Sequence, residues 1–379
     1  MLPRENPTPS STSRSTHAPS RSAPAPSRSG GALDVLPGLA FALLVALAAR
    51  LIHRALPPAA ATSLGEVIFA VVLGLLIGNF VALPAALRPG IRFSFHTLLR
   101  IAIVLLGAGF SFQQVLAIGV KALVMVVILM SVALTAAHVL GRLAGVPGKL
   151  ATLIGIGTAV CGNSAIVAAA PVIRAKDEDV SFAIATNTLF GTLAVLLYPL
   201  IGKLFHFGDA AFGTWAGTAV NDTSQVVATG FAYSDAAGRV ATAVKLTRNA
   251  LMGGVIVLAG LAYSRSNEED GGGGTRASLW VRLKQSFPLF VLGFLAMALL
   301  NTFGVFTSLS IQTHAKIGAI LNEIARAMIL VALAGVGLST RIEAMRKTGI
   351  KPFLIGFTVA VATSGVSLLL IRLLGPARG

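Results

Sequence analysis

Gly157-Thr158-Ala159-Val160-Cys161-Gly162-Asn163-Ser164-Ala165-Ile166-Val167-Ala168 returns further along the chain as Gly217-Thr218-Ala219-Val220-Asn221-Asp222-Thr223-Ser224-Gln225-Val226-Val227-Ala228. Each copy is an apolar half-segment, a polar break, and a second apolar half. Inside a hydrocarbon slab, irregular backbone is tolerated only where it faces protein or a watery cavity. Paired broken helices in a repeated membrane fold are the pattern of the substrate site in secondary transporters. The twin motif therefore predicts an all-α integral membrane protein that carries a transported molecule between two broken or re-entrant helices; the alternative is a channel-like or regulatory membrane protein without coupled transport.

Composition supports the membrane reading. Of the 379 residues, 55% are hydrophobic and only 12% charged, against roughly 25% charged in ordinary globular domains. A net charge of +16 in a soluble chain would suggest nucleic acid. Here Lys and Arg fall between apolar runs, where they set topology and meet anionic headgroups, so the expected partner is the lipid bilayer and not nucleic acid. The single cysteine, Cys161, excludes an internal disulfide and a CxxC metal site.

Runs of about 20 apolar residues can cross a bilayer. They lie at about 34–53, 64–82, 97–114, 120–141, 181–203, 240–263, 286–304, 317–338 and 352–374, with the twin motifs in two further runs at about 150–173 and 211–233. The count is thus nine to eleven transmembrane segments. Residues 1–32, rich in Ser, Pro and Arg, cannot build a core and are expected to form a disordered cytoplasmic tail. The stretch shares an Arg/Ser-rich, acid-poor character with organellar transit peptides but lacks their apolar stripe. Residues 33–375 form one polytopic domain, with a polar, Gly-rich linker at 264–284.

The repetition extends beyond the motifs. Asn187-Thr188-Leu189-Phe190-Gly191 matches Asn249-Ala250-Leu251-Met252-Gly253, one helix after each copy. The stretch from Arg100 through Gly107 to Ser111 resembles Arg326 through Gly335 to Ser339. The order is A-B-C-D-E then D′-E′-A′-B′-C′, with one extra helix in front. If D and D′ enter and leave on one side, every repeat pair is inverted. Each half of D, at about ten residues and 1.5 Å per residue, spans roughly half a bilayer, so re-entrant hairpins fit. The basic residues then gather on one face, including Arg88, Arg92, Arg142, Lys149, Arg174, Lys176, Arg341 and Lys351. That face is cytoplasmic by the positive-inside rule.

Helix N-termini at such tips suit an anion. The expected binding residues are Gly157, Thr158, Cys161, Gly162, Asn163 and Ser164 at the first tip, with Gly217, Thr218, Asn221, Asp222, Thr223, Ser224 and Gln225 at the second. Asp222 is a carboxylate at membrane depth, where charge is expensive and usually functional. It is expected to bind a coupling proton or Na⁺, or to neutralise a nearby base. Lys245 and Arg248, three apart on the following helix, are its candidate partners or counter-charges for an anionic substrate; the alternative is that they snorkel to the interface. Glu323 and Arg326 have the spacing of an intrahelical ion pair. His53, His96, His138, His206 and His314 are scattered and read as interfacial. With no metal-spaced His pair, no GxSxG or HExxH and no nucleotide loop, neither an enzyme nor a cofactor is expected, and any driving force is an ion gradient or the substrate's own.

GIGTAVCGNSAIVAAAPVIRA (155–175), ATNTLFGTLAVLLYPLIG (185–202), GTAVNDTSQVVATG (217–230) and VKLTRNALM (244–252) resemble the YeiH-type membrane proteins, a family named for sulfate export. The resemblance covers essentially the whole membrane domain. It implies a multi-pass inner-membrane protein related to inverted-repeat symporters and supports transport better than it supports sulfate; the expected substrate is a small anion, sulfate, a sulfonate or an organic acid.

Overall fold

The computed structural model describes residues 32–57, 65–267, 288–313, 316–341 and 350–377. The expected tail, apart from Ala32, and linker positions 268–284 lie outside these residues. The described residues form fifteen helices: α1 (Ala32–Ala55), α2 (Glu66–Phe80), α3 (Ala85–Gly109), α4 (Phe112–Leu143), α5 (Gly148–Ala159), α6 (Asn163–Ala169), α7 (Asp177–Leu204), α8 (Asp209–Ala219), α9 (Thr223–Tyr233), α10 (Asp235–Ala250), α11 (Met252–Asn267), α12 (Leu289–Thr302), α13 (Val305–Thr313), α14 (Ile317–Ser339) and α15 (Ile350–Leu374). The run expected as one helix at 240–263 is thus two, α10 and α11, meeting at Leu251.

Seven of these segments are long and apolar enough to cross a membrane alone: α1, α3, α4, α7, α10–α11, α14 and α15. The pair α12–α13, bent by 57°, makes an eighth when taken as one span, and α2 is a shorter apolar helix beside them. Large apolar side chains such as Leu44, Val120, Leu200 and Leu258 stand exposed along them. That exposure suits lipid, whereas water would penalise it.

The twin motifs do not cross; both are re-entrant hairpins. Lys149, at the start of α5, donates from Nζ to the carbonyl of Arg174, beyond the end of α6, over 2.9 Å. A crossing segment would hold those two residues a membrane thickness apart. At the second motif, the Ser234 hydroxyl donates to Asp209 Oδ1 over 2.5 Å. Phe212 also stacks on Tyr233 with ring centroids 3.9 Å apart. The first hairpin opens at the end of the molecule that carries Arg142, Lys149, Arg174 and Lys176, called here the basic end. The second opens at the opposite end, because α7 crosses between them. Two contacts check the alternation. Gly65, before α2, donates its N–H to the Ala232 carbonyl at the mouth of the second hairpin. Thr152 and Tyr263 hydroxyls meet at 2.8 Å beside the first.

Every repeat pair is consequently inverted: α2 against α12, α3 against α14, α4 against α15, and α7 against α10–α11. The packing repeats as well. Helix α2 lies on α14 as α12 lies on α3, and α4 supports the first hairpin as α15 supports the second. Where α2 crosses α14, a Cβ on Gly74 would sit 2.5 Å from the Ala334 carbonyl oxygen, so the missing side chain permits the close approach. One apolar core joins mainly α1, α2, α3, α12 and α14. Two others gather the hairpins with α4, α7, α11 and α15. The molecule therefore has a helical panel and a hairpin bundle, with a cavity between them.

One sequence expectation changes. Arg326 does not pair with Glu323; its guanidinium meets Asp235 Oδ2 at 2.7 Å, because the following helix turn of α10 brings a carboxylate beside it. Glu66 opens α2, where a carboxylate suits the helix dipole, and pairs with Arg50 at 3.0 Å. In a Cys161→Ser background, cysteines placed at Lys149 and Lys176 should react with an impermeant maleimide from one side of the membrane. Cysteines at His206 and Ala236 should react only from the other. Opposite sidedness within either pair would mean that the motif crosses.

Candidate functional site

The break in the first hairpin is built by glycine. Gly162 has φ +73°, a region that a side chain rarely adopts, and its N–H donates back to the Gly157 carbonyl. A Cβ there would lie 2.9 Å from Asp222 Cα. The two tips are thus in direct contact, near mid-depth. In the second hairpin Asp222 is the N-cap of α9: its Oδ1 accepts from the Ser224 N–H at 2.9 Å and from the Ser224 hydroxyl at 2.7 Å.

Breaking a helix inside the membrane leaves orphan carbonyls at the C-terminus of each first half, with no water to satisfy them. Both sets are met by α10. Lys245, fully buried, donates from Nζ to Val160 O at 2.8 Å, Val220 O at 3.2 Å and Asn221 O. Arg248, also buried, donates from Nε to Ala159 O at 2.6 Å, and from one terminal nitrogen to Thr218 O at 2.8 Å and Val220 O at 3.1 Å. Each cation thus binds both tips at once, at the negative ends of α5 and α8. This corrects the expectations for the pair. Lys245 and Arg248 neither snorkel nor form an ion pair with Asp222. The two side-chain ion pairs found among the described residues are Arg50–Glu66 and Arg326–Asp235.

Pseudo-symmetric amides fasten the second halves. Asn187 on α7 donates from Nδ2 to Asn163 Oδ1 at 2.9 Å, and Asn249 on α10 donates to Thr223 Oγ1 at 3.1 Å. These are equivalent residues in the two repeats. Gln225 reaches α7, donating to Thr188 O at 3.1 Å and Thr192 Oγ1 at 3.2 Å. The slot it fills exists because Gly191 has no side chain, since a Cβ there would overlap Gln225 Oε1.

In front of the tips lies a cavity of about 1140 Å³. Of the expected residues, Cys161, Asn163, Ser164, Asp222, Thr223, Ser224 and Gln225 line it. Gly157, Thr158, Gly162, Gly217, Thr218 and Asn221 do not; they build the tips behind it, and Lys245 and Arg248 lie deeper still. The facing wall belongs to the panel and contains residues that the sequence did not single out for binding. Arg92, His96 and Arg100 of α3 all line the cavity. They stand four apart, on one helical face, and His96 lies in a π-helical turn spanning Ser94–Leu98, an irregularity common at functional sites. His96 is therefore a cavity residue, not an interfacial one. Pro171, Pro288, Ser339 and Thr340 carry the lining on toward the basic end. Against three basic side chains, Asp222 is the one acid in the wall. The arrangement is suited to holding an anion between a basic helix face and hydroxyl- and amide-bearing tips.

Because Lys245 and Arg248 bind carbonyls, removing either leaves buried acceptors bare. Hydrogen bonds to charged groups contribute about 1.5–3 kcal/mol each, so Lys245→Met and Arg248→Gln should each lose roughly 3–5 kcal/mol, read as a lowered unfolding temperature in detergent. Asp222→Asn preserves a good N-cap and should change stability by under about 0.5 kcal/mol. The double change Asp222→Asn with Lys245→Met should be no more stable than Lys245→Met; recovery in the double variant would instead reveal a Lys245–Asp222 ion pair.

Comparison with known proteins agrees with this architecture. A family model described as "Conserved hypothetical protein 698" matches residues 37–356. A UPF0324 membrane protein of Clostridium tetani is 34% identical over 318 residues, covering 82% of this chain and 90% of that protein. One of Nitratidesulfovibrio vulgaris is 34% identical over 344 residues, covering 90% and 93%. The protein SpyM3_0740 of Streptococcus pyogenes serotype M3 is 37% identical over 348 residues, covering 90% and 98%. The match spans the panel, both hairpins and the cavity, as the YeiH-type resemblance implied, and the chain belongs to the UPF0324 membrane protein family.

Proposed function

We propose that this chain is a secondary transporter of a small anion, with its basic end and N-terminus on the cytoplasmic side of the cell membrane. The observation that carries the reading is the cavity itself. Two inverted re-entrant tips meet at its floor, and Arg92, His96 and Arg100 form one basic wall above them. Tips that meet near mid-depth within an inverted repeat are the arrangement in which transporters bind substrate. The excess of cationic over acidic lining residues selects anions electrostatically. The lining runs from the tips to the basic end and includes no residue of the opposite end, so this conformation is open toward the cytoplasm. The planar guanidinium groups of Arg92 and Arg100 suit a tetrahedral or carboxylate oxyanion, which they can engage with two parallel hydrogen bonds. Sulfate, sulfonates and small organic acids share that chemistry. Ser164, Thr223 and the second amide N–H of Asn163 supply neutral donors at the floor.

Proteoliposomes should show saturable flux of at least one of labelled sulfate, sulfite, taurine or a small carboxylate. Arg92→Gln and Arg100→Gln should each raise the half-saturating concentration about 10-fold or more, the equivalent of one charge-assisted hydrogen bond. Flux at channel rates without saturation, or unchanged half-saturation in both variants, would overturn the assignment.

A further inference from the structure

The backbone carbonyls at broken-helix C-termini are where secondary transporters hold their coupling cation, while the opposing helix N-termini face the anionic substrate. In this protein that carbonyl set is already filled. Ala159, Val160, Thr218, Val220 and Asn221 give their oxygens to Lys245 and Arg248. Both side chains are cationic on stereochemical grounds. The guanidinium does not deprotonate in proteins, and Lys245 Nζ faces three acceptors that cannot donate, which requires three N–H bonds and hence the ammonium form. Lys245 is 0% and Arg248 3% exposed, so neither can be exchanged for an ion from solution. The carboxylate at the tips, Asp222, uses Oδ1 to cap α9.

Resting on the transport reading above, we infer that Lys245 and Arg248 are tethered substitutes for a coupling cation, so that the anion crosses without a co-transported Na⁺ or proton. The transported species then carries its own negative charge through the membrane field. An inside-negative potential of about 100 mV favours a monovalent anion outside by roughly 50-fold, so the potential alone drives export and opposes uptake. The charged groups that line the cavity or its floor are Arg92, Arg100 and Asp222, with the imidazole of His96 between the two arginines and Lys245 and Arg248 behind; the binding of the anion is set by these groups and not by a second ion.

The test uses the full-length protein in proteoliposomes loaded with the net anions of that panel: labelled sulfate, sulfite and a small carboxylate. A potassium gradient with valinomycin sets the potential, choline replaces Na⁺, and both sides are buffered to one pH. Efflux driven by an inside-negative potential, reversed in direction when the potential is reversed, is the expected result. Flux that appears only with a Na⁺ gradient, or only with a pH gradient, overturns the inference while leaving the transport reading intact. The absence of flux under every gradient overturns both. A second measurement asks whether the place can accept an ion once the tether is cut. Lys245→Ala in detergent should gain thermal stability with added NaCl over equal choline chloride, whereas the parent chain should not. Sodium-specific stabilisation of the parent chain would show a cation site outside the tethered pair. If the variant does not fold, the flux experiment on the parent chain decides the matter alone.

Discussion

Unpaired carbonyls in a place without water are the constraint around which this structure is arranged. A hairpin that turns at mid-membrane must end one helix and begin another where the hydrocarbon offers no hydrogen bonds. Two such hairpins double the demand. The chain answers it with two side chains on one helix, Lys245 and Arg248, each long enough to reach both tips. Because each cation binds both tips, the hairpins cannot separate without baring several carbonyls and two buried charges. Burying a lone cation would cost several kcal/mol; distributing it over carbonyls at the negative ends of two helices makes it tolerable. The junction between the tips, including the contact of Gly162 with Asp222, follows from that shared attachment.

The polar face of the hairpins is organised by the same logic with neutral groups. Asp222 and Ser224 satisfy the start of α9, and Asn187 and Asn249 hold the two second halves at equivalent places. What remains to meet a ligand are the hydroxyls of Ser164 and Thr223 and one amide N–H of Asn163, which line the cavity. The panel contributes the sign of the charge through Arg92, His96 and Arg100, and the hairpins contribute the polar floor.

Much of this fold is legible in the sequence because membranes remove alternatives. The twin Gly-Thr-Ala-Val motifs mark the two breaks, and the short halves on either side fit re-entrant hairpins, but eleven full crossings would also keep most basic residues on one face; the contact of Lys149 with the Arg174 carbonyl decides for the hairpin. The roles of Lys245 and Arg248 were not legible. Their partners are backbone carbonyls, which every residue has, so no side-chain pattern announces them, and Asp222 attracted attention as the nearest charge. Arg92, His96 and Arg100 did carry a signal in their spacing of four. Their meaning depends on which face of α3 is lipid and which is cavity, and that is settled only by packing of α3 against α12 and α14.

The inverted repeat supplies geometry but not chemistry, and the departures from symmetry show this. The matched segments Asn187–Gly191 and Asn249–Gly253 place Ala183 and Thr186 of α7 opposite Lys245 and Arg248 of α10. Both α7 residues are buried, as their counterparts are, yet neither carries a charge. A symmetric arrangement would put four cations at one crossing, where the carbonyls of two helix ends, worth about half a charge each, could not balance them. One pair suffices because it is shared between the tips. The two hairpins are equivalent, and the site is positive through residues whose repeat counterparts do not share the role: Lys245 and Arg248 of the second repeat behind the tips and, from the first repeat, the basic face of α3 with no counterpart lining the cavity from α14. The α14 contribution to that wall is Val336, Ser339 and, just beyond, Thr340, neutral side chains that leave the charge of the cavity to α3 alone.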